Sequence, residues 1–314
     1  MVWIIHFYIL VMSISKSSCS YLIWGGKTGW VGQKLMHLLQ GKENVSVVAA
    51  ESRLENAQDV AAELDQIKPT HVLNAAGLTG RPNVDWCESH KTETTRVNVI
   101  GTLSLIDLCH QRGIHMTNFA TGCIYHYDDD GHSEGNGVGF KEDDAPNFDG
   151  SFYSKTKAVV EKLILATGYD NVLQLRLRMP ISDDLHHRSL VTKITKYEKV
   201  VNIPNSMTVL HDMLPVALAL GSAGVVGVHN FTNPGAISHN EILSMYHDLV
   251  DSSFTWQNFS LEEHDKVVVA KRSNNELDPS KLQQACAKAG IELVEIHDAV
   301  RGVFTRMSQL QKKD

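Results

Sequence analysis

The sequence predicts an α/β fold, with a doubly wound parallel sheet and a smaller C-terminal cap. The first half of the chain alternates short β-branched runs with amphipathic segments, a pattern typical of parallel strands covered by helices. A glycine-rich loop joins the first strand to the first helix. After Pro180 the alternation changes, and two helical segments near the C-terminus indicate the cap.

The elements can be placed in order along the chain. The predicted strands are YLIWGG, VSVVAA, THVLNAAG, HMTNFATGCIY and VLQLRLRMP. The predicted helices between them include TGWVGQKLMHLLQG, NAQDVAAELDQI and YSKTKAVVEKLILATG, whose apolar residues recur at helical spacing. Residues 127–150 form a long, acidic, glycine-rich loop, and this length indicates function or flexibility rather than core.

These elements divide the chain into an extension, a sheet domain and a cap. The extension covers residues 1–20, and the predicted nucleotide-binding sheet domain covers residues 21–180. Residues 208–232 are expected to return to the sheet. The substrate-binding cap is then formed by residues 181–207 and 233–314.

Composition is that of an ordinary globular protein, with 43% hydrophobic and 21% charged residues. A formal net charge of −7 with scattered basic residues argues against nucleic acid as a partner. Five cysteines, an odd number without C-x-x-C spacing, favour reduced thiols in a cytoplasmic protein. None of the 16 histidines shows a metal-binding spacing such as H-E-x-x-H, so no metal site is predicted.

The first residues leave the location open. MVWIIHFYILVM has about the length of a signal-peptide core, but it lacks a basic n-region and is short for a bilayer span. This run is compatible with three interpretations. It could be an upstream extension of a chain that starts at Met12, a signal peptide or membrane anchor, or an arm that packs against the domain. A second apolar region, residues 210–228, contains His211 and Asp212 and indicates a helix followed by a strand. We therefore expect no membrane span and a cytoplasmic protein, with a signal or anchor as the alternative.

The glycine loop GGKTGWVG predicts a dinucleotide site. Its G-x-x-G-x-x-G pattern lies between a strand and a helix, where glycines allow a tight turn and a close approach to a pyrophosphate at the helix N-terminus. A plain turn before a helix is the alternative, but the strand–turn–helix context favours a Rossmann-type site. The predicted cofactor contacts in this loop are Gly26, Thr28, Gly29, Trp30, Val31 and Gly32.

The end of the second strand should contact the adenosine ribose of the cofactor. Glu51 would suit the free 2′-hydroxyl of NADH. Arg53 would suit the 2′-phosphate of NADPH, because a guanidinium can pair with a phosphate bidentately. NADPH is therefore the predicted cofactor and NADH the alternative, although both residues could instead be solvated loop charges.

Tyr153 and Lys157 form the predicted catalytic pair. They are four residues apart at the start of a helix and therefore share one face. A nearby ammonium favours the phenolate, so the tyrosine can exchange a proton with a carbonyl or an alcohol. Thr121, at the end of an earlier strand, can donate a hydrogen bond to the same substrate oxygen. The alternative is that a tyrosine and a lysine have this spacing on a helix by coincidence. The glycine loop and Thr121, which precede the pair in the expected order, argue against coincidence.

This combination resembles the extended short-chain dehydrogenase/reductase superfamily. Longer motifs are similar to those of nucleotide-4-keto-rhamnose reductases, and most of all to the plant-type bifunctional 3,5-epimerase/4-reductases of UDP-rhamnose synthesis. The resemblance runs from about Tyr21 to about Leu282. The motifs are GKTGWVG, PTHVLNAAGLTGRPNVDWCESHKTET, ATGCIY, GSFYSKTKA, LRLRMPIS, KVVNIPNSMTVL, NFTNPGAISHNEIL and RSNNELD.

The resemblance implies an NADPH-dependent reduction of a 4-keto-rhamnose linked to UDP or dTDP. It also implies epimerisation at C3 and C5 of the 4-keto-6-deoxyglucose precursor, whose ketone acidifies the neighbouring hydrogens. A homodimer is compatible with it, because members of the family often form dimers. The further cofactor-side positions that it implies are Asn74, Ala75, Ala76, Asn98, Met179 and Pro180.

Epimerisation needs a second acid/base set, because Tyr153 is occupied at the ketone oxygen. Cys123 lies where related epimerase-reductases carry a catalytic cysteine, and Lys193 matches the lysine suggested as its partner. A thiol and a lysine whose pKa is lowered by burial could both titrate usefully. The alternatives are a small apolar residue at a strand end for Cys123 and a solvated helix charge for Lys193.

Substrate binding should need cations for the diphosphate and polar groups for the base. Arg81 could instead cap its loop, and the asparagines could be turn residues. The candidates are Arg81, Asn205, Ser206, Arg272 and Asn274, with Asn275 beside them.

Two other functions compete with the epimerase-reductase. One is a single-function dTDP-4-dehydrorhamnose reductase. The other is a non-catalytic regulatory subunit, since the β-subunit of methionine adenosyltransferase resembles the same reductase fold. A pure interaction protein has no need for the complete set Thr121, Tyr153 and Lys157, which this sequence retains.

Overall fold

A computed structural model describes residues 18–80, 83–128 and 131–311. The N-terminal apolar run, residues 1–17, lies outside the described residues. In chain order the strands are β1 (Cys19–Trp24), β2 (Val45–Ala49), β3 (His71–Asn74), β4 (His115–Thr121), β5 (Val172–Leu177), β6 (Lys199–Val200), β7 (Gly227–Asn230) and β8 (Gln257–Asn258).

Helices alternate with these strands. A π-helical segment, Arg96–Gly101, joins the fourth helix to the fifth. The helices are α1 (Trp30–Leu39), α2 (Ala57–Ile67), α3 (Trp86–Ser89), α4 (Lys91–Thr95), α5 (Thr102–Gln111), α6 (Phe152–Thr167), α7 (Leu190–Ile194), α8 (Leu210–Ser222), α9 (His239–Leu249), α10 (Leu261–Asp265), α11 (Ser280–Lys288) and α12 (Ile296–Gln311).

The main sheet has six parallel strands in the order β2-β1-β3-β4-β5-β7. The predicted doubly wound α/β fold is thereby confirmed. The chain moves outward from β1 to β2 and then returns to place β3 on the other side of β1. This reversal creates a crevice at the carboxyl ends of β1 and β3, where open α/β sheets bind ligands.

Local sequence signals determine where α6, the helix that carries the predicted catalytic pair, begins and ends. The Ser151 side chain caps α6 by accepting a hydrogen bond from the Ser154 amide at 3.1 Å. Gly168 ends the helix with φ +71°, a left-handed conformation that glycine adopts without strain. The helix therefore begins one residue before Tyr153, and its first turn lies at the carboxyl edge of the sheet.

Two apolar clusters cover the two faces of the sheet, and a third forms the cap. The cap cluster includes Ile181, Val209, Ile242 and Phe304, all fully buried. The predicted cap boundary needs one correction. Helix α11, within the range assigned to the cap, packs its Leu282 and Cys286 side chains into the sheet cluster, because these apolar residues face β7 and α8.

A buried ion pair joins the sheet to α6. Arg176 on β5 is 1% exposed, and its guanidinium donates to the two carboxylate oxygens of Glu161 at 3.0 and 2.6 Å. It also donates to the Asn230 side chain on β7 at 3.1 Å. Because buried charges are costly without a partner, this pair fixes α6 against β5.

No helix within the described residues is both long and apolar enough to cross a membrane. Nor do these residues contain a group of three or more histidine, cysteine, aspartate or glutamate side chains that could hold a metal ion.

Replacing Glu161 with glutamine should destabilise the fold strongly. The substitution leaves the Arg176 charge buried and uncompensated, so we expect the free energy of unfolding to fall by about 3–5 kcal/mol. Denaturant unfolding followed by circular dichroism measures the change. Glu43→Gln, at an exposed position, is the matched control and should change it by less than about 0.5 kcal/mol. Equal effects of the two substitutions would contradict the role of the pair.

Candidate active site

The glycine loop after β1 closes tightly on itself and on β3. Gly25 has φ +86°, and a Cβ atom there would lie 2.9 Å from the Ala75 backbone. A Cβ at Gly29 or Gly32 would lie 2.7 or 2.2 Å from the Gly25 carbonyl oxygen. These positions therefore require glycine, and the backbone amides at the start of α1 stay free of side-chain caps. This cradle fits the pyrophosphate of a dinucleotide.

The remaining predicted contacts of the loop lie beside it. Thr28 is exposed and Val31 is half-buried, whereas Gly26 packs against β2. The Trp30 indole is buried and donates a hydrogen bond to the Asp184 carboxylate at 2.8 Å. Its ring stacks on His186 with a centroid separation of 4.8 Å. The Trp30 side chain therefore joins α1 to the segment after β5, and only its backbone remains for a cofactor.

The loop after β2 presents both of the predicted ribose contacts. Glu63 of α2 holds this loop by accepting hydrogen bonds from the Glu51 and Ser52 amides at 2.7 and 2.9 Å. The Glu51 carboxylate pairs with Lys27, a second cation beside the glycine loop. Arg53 is largely exposed and pairs with Glu55 at 3.1 Å. Lys27 and Arg53 are therefore both cations, and each is paired with a carboxylate, Glu51 or Glu55.

The residues predicted after β3 are held by side-chain amides. Asn74 is buried, and its side chain donates to the Asn118 side chain at 2.9 Å and accepts from the Ala76 amide at 3.2 Å. Asn98 lies in the π-helical segment and bonds both backbone groups of Leu78 at 2.8 Å. The side-chain amides of Asn74 and Asn98 are therefore engaged in hydrogen bonds that hold the segment after β3.

The turn after β5 carries backbone strain at a predicted cofactor position. Met179 has φ +37° and precedes Pro180. A non-glycine residue in the left-handed region is disfavoured, and strain of this kind persists where the surrounding structure demands it. The turn redirects the chain from β5 across the open edge of the crevice.

Thr121 and Tyr153 are brought together at the carboxyl edge of the sheet. Thr121 ends β4 and is buried, and Tyr153 lies in the first turn of α6. Burial raises the pKa of Tyr153, the negative charge that Cys123 can carry raises it further, and a hydrogen bond with Thr121 lowers it. The phenol is therefore held in its protonated form.

Lys157 completes this group from one turn further along α6. Its ammonium lies 5.9 Å from the centre of the Tyr153 ring, and the side chain is 8% exposed. Burial lowers the pKa of Lys157 to about 8, while the neighbouring Cys87 acts in the opposite direction. The predicted arrangement of a phenol, a hydroxyl and an ammonium on one face is thus present in the structure.

Cys123 faces the same group from the turn after β4. It is half-buried, and its backbone amide donates to the Thr121 hydroxyl at 3.1 Å. The other four cysteines are buried. Its sulfur also accepts a hydrogen bond from the Arg178 guanidinium, with an N–S distance of 3.6 Å. The Cys123 thiol is therefore in polar contact with Arg178, and it lies close enough to Tyr153 to affect the pKa of the phenol.

Lys193 lies among other cations on the cap side. It is half-buried in α7, and burial, followed by the charges of Arg188 and Arg272, lowers its pKa. Arg188 donates to the Thr79 hydroxyl at 2.7 Å, which brings α7 close to the loop after β3. A lysine of this kind gives up its proton more readily than a solvated helix charge would.

Arg272, a predicted diphosphate ligand, is engaged with Asp85. Its two terminal nitrogens donate to the two carboxylate oxygens at 2.7 and 3.2 Å. The Arg272 charge is therefore largely compensated before any substrate binds. Arg81, predicted to act with it, lies outside the described residues.

Asn205 and Ser206, predicted to contact the substrate, are engaged within the protein. Both side chains are buried, at 1% and 0% exposure. The Asn205 oxygen accepts from the Asn275 amide at 2.9 Å, and the Ser206 hydroxyl accepts from the Leu277 amide at 2.9 Å. They bind the loop beneath the site. Half-buried Asn274 accepts from the Asn205 side chain at 3.1 Å.

Five further residues shape this region without having been predicted. Two of them, Gly25 and Lys27, lie within the predicted glycine loop but outside its G-x-x-G-x-x-G positions. The other three are recognisable only when distant segments are seen together. They are Gly25, Lys27, Asp85, Arg178 and Arg188.

Comparison with known proteins identifies the family of the chain. Residues 20–290 match the family described as the RmlD substrate binding domain. The chain is 56% identical over 270 residues to an Arabidopsis thaliana protein named bifunctional dTDP-4-dehydrorhamnose 3,5-epimerase/dTDP-4-dehydrorhamnose reductase, covering 86% of this chain and 88% of that one. A trifunctional Arabidopsis thaliana relative, which adds a UDP-glucose 4,6-dehydratase, is also 56% identical, but the chain spans only 40% of it.

Solved structures give the same assignment. The UDP-rhamnose synthase of Acanthamoeba polyphaga mimivirus has a TM-score of 0.86 at 36% identity, covering 93% of this chain and 100% of that one. A dTDP-4-dehydrorhamnose reductase from Clostridium acetobutylicum shares the fold, with a TM-score of 0.75 at 20% identity and coverage of 93% and 99%. The chain therefore belongs to the RmlD substrate-binding-domain family of extended short-chain dehydrogenase/reductases, as the motifs predict.

Proposed function

We propose that the protein is an NADPH-dependent reductase of a nucleotide-linked 4-keto-6-deoxy sugar that also epimerises this sugar at C3 and C5. The observation that carries the proposal is the group formed by Thr121, Tyr153 and Lys157 beside the glycine cradle. The names of its relatives support the substrate class, since both the bifunctional plant protein and the viral UDP-rhamnose synthase act in rhamnose synthesis.

Tyr153 supplies the proton in the reductive step. Bound NADPH would deliver a hydride to C4 of the sugar. Tyr153 and Thr121 hold the ketone oxygen by hydrogen bonds, and the half-buried phenol, protonated at neutral pH, passes its proton to that oxygen. The Lys157 ammonium then stabilises the phenolate that remains.

Cys123 and Lys193 are the acid/base groups that we assign to epimerisation. One removes the proton next to the ketone, and the other returns a proton from the opposite face of the sugar. The negative charge that develops on the ketone oxygen is held by the same two hydroxyls of Tyr153 and Thr121. The half-buried thiol in the site and the lowered pKa of Lys193 support these roles.

Lys27 and Arg53 account for the choice of NADPH. A 2′-phosphate would replace Glu55 as the partner of Arg53, and Lys27 would add a second charge. Either UDP or dTDP could carry the sugar, because the relatives include enzymes named for both. A homodimer and a cytoplasmic location stay predictions.

Product analysis in deuterium oxide tests the proposal. The protein is incubated with NADPH and UDP- or dTDP-4-keto-6-deoxyglucose, and the product is examined by NMR. We expect NADPH oxidation and a rhamnose product carrying deuterium at C3 and C5. Absence of NADPH oxidation with either sugar would contradict the enzyme assignment. Reduction without deuterium at these carbons would leave a single-function reductase.

Cys123→Ser should abolish most of the exchange at C3 and C5. A serine hydroxyl is far less acidic than a thiol, so we expect the rate of deuterium incorporation to fall about 100-fold or more. Cys286→Ser, at a buried thiol in α11, is the matched control and should exchange at the wild-type rate. Exchange by Cys123→Ser at the wild-type rate would remove the thiol from the mechanism.

Lys157 should make the rate of reduction depend on pH. Below its pKa of about 8 the side chain is an ammonium that stabilises the phenolate, and above that pH it is neutral. We therefore expect kcat to decrease as the pH rises through about 8. In Lys157→Arg the charge persists at higher pH, so the decrease should move upward even though kcat is lower. Coinciding pH profiles of the two proteins would exclude this role for Lys157.

Arg53→Gln should weaken the binding of NADPH but not that of NADH. Loss of a charge-assisted contact to the 2′-phosphate should raise KM for NADPH about tenfold and leave KM for NADH nearly unchanged. Initial rates with each cofactor measure the two constants. Arg301→Gln, on an exposed face of α12, is the control and should alter neither. A proportional rise in both constants would argue against phosphate recognition by Arg53.

A further inference from the structure

Arg188 connects the segment that follows β5 to the loop that follows β3. It is half-buried, and a terminal nitrogen of its guanidinium donates a hydrogen bond to the Thr79 hydroxyl at 2.7 Å. The two residues are 109 positions apart in the sequence. Both segments leave the carboxyl ends of their strands, where open α/β sheets bind ligands. The Arg188 side chain therefore lies at the ligand-binding edge of the sheet.

No carboxylate among the described residues forms an ion pair with Arg188. The two aspartates that are nearest in the sequence have other partners. Asp183 pairs with Arg306, and Asp184 pairs with Lys34 at 2.8 Å. A guanidinium offers several N–H donors in a fixed plane, and the partner found for it here is a neutral hydroxyl. Its positive charge is therefore left for a negative ligand.

Arg188 belongs to a group of cations on the cap side of the site. Burial lowers the pKa of Lys193, and the charges of Arg188 and then Arg272 lower it further, so the three side chains lie close together. Asp85 pairs with Arg272. Like charges that are held together repel each other, and an anion bound among them removes this cost. The group therefore favours a negatively charged ligand.

Arg188 is the member of this group best suited to bind phosphate. Arg272 already donates to both carboxylate oxygens of Asp85, at 2.7 and 3.2 Å. Lys193 is assigned to proton transfer in the proposed function. A guanidinium binds phosphate oxygens bidentately, and such charge-assisted hydrogen bonds are about twice as strong as those to a neutral acceptor. A phosphate would therefore replace the Thr79 hydroxyl as the partner of Arg188.

The position of Lys193 indicates which phosphate this is. In the proposed epimerisation Lys193 exchanges a proton at C3 or C5 of the sugar. C5 is joined to C1 through the ring oxygen, and C1 carries the diphosphate of a sugar nucleotide. A cation beside Lys193 is therefore placed for this diphosphate. The pyrophosphate of the dinucleotide fits the glycine cradle at the start of α1 instead.

We propose that Arg188 is a substrate-binding residue that pairs with the diphosphate of the sugar nucleotide and thereby holds the sugar ring at Lys193. The inference rests on the proposed function and deepens it. Arg188 leaves its hydrogen bond with Thr79 when the substrate binds, and its guanidinium then donates to phosphate oxygens.

Nucleotide binding tests this role without turnover. The probes are UDP and dTDP, titrated calorimetrically into the NADPH-saturated protein. Loss of a charge-assisted contact in Arg188→Gln should raise the Kd of the nucleotide that binds by about tenfold or more. The Kd of NADPH itself should change by less than about twofold, since its pyrophosphate lies in the glycine cradle. An unchanged nucleotide Kd, an equal loss for NADPH, or no binding of either nucleotide to the wild type would each overturn the proposal.

Two further charge variants separate a specific contact from a general effect of charge. Arg188→Lys keeps the charge without the planar fork, so its nucleotide Kd should lie between those of the wild type and Arg188→Gln. Lys196→Gln is the matched control, because it removes one positive charge from an exposed position just after α7. It should change the Kd by less than about twofold. An equal loss in Lys196→Gln would overturn the proposal.

Thr79→Val separates ligand binding from a structural link. It removes the hydroxyl partner of Arg188 and leaves the guanidinium in place. We expect its nucleotide Kd to stay within about twofold of the wild-type value, because the charge that binds phosphate remains. A loss as large as that of Arg188→Gln would show that the link between the two segments matters instead, and would overturn the proposal.

Failure of this inference can be distinguished from failure of the proposed function. NADPH oxidation with the 4-keto sugar nucleotide, together with an unchanged nucleotide Kd in Arg188→Gln, would overturn the inference alone. Nucleotide binding that depends on Arg188, without any NADPH oxidation, would overturn the proposed function alone.

Discussion

Two buried arginines at the end of one strand hold the carboxyl edge of the sheet together. Arg176 binds α6 through Glu161 and β7 through Asn230. Arg178 binds the turn after β4 and the segment around Ser273. Side chains two residues apart on a strand point to the same face, so both cations anchor the same side of the sheet. The helix with the phenol and the turn with the thiol are therefore positioned by Arg176 on β5 and by Arg178 immediately after it.

This construction lets one site combine two kinds of proton transfer. Desolvation raises the pKa of the half-buried Tyr153, so the phenol keeps its proton for donation to an alkoxide. Cys123, 3.6 Å from the Arg178 guanidinium, is one of the two groups proposed to transfer protons at carbon. The negative charge that Cys123 can carry raises the pKa of Tyr153, so the two groups are electrostatically coupled. Groups whose environments drive their proton affinities apart can serve consecutive steps at the same ketone.

Much of the fold and the reactive group could be predicted because their signals are local. The glycine loop, the strand and helix periods and the spacing of Tyr153 and Lys157 each occupy one short segment. Parallel strands end at one edge, which brings Thr121 to the same place. The partners of the polar residues on the substrate side could not be predicted. The Asn205 side-chain oxygen accepts hydrogen bonds from Arg178 and from the Asn275 amide, which lie 27 and 70 positions away in the sequence.

The sequence by itself determined the sheet, the dinucleotide cradle and the phenol–ammonium pair, because helical and strand periods and glycine requirements are set by neighbouring residues. Only the tertiary structure decided which cations meet a carboxylate. Arg272 is compensated by Asp85, 187 positions away, whereas Arg178 meets Cys123 across 55 positions without any carboxylate partner among the described residues. The physical reason is that the electrostatic state of a buried charge depends on what folding places around it, and no local pattern records those partners.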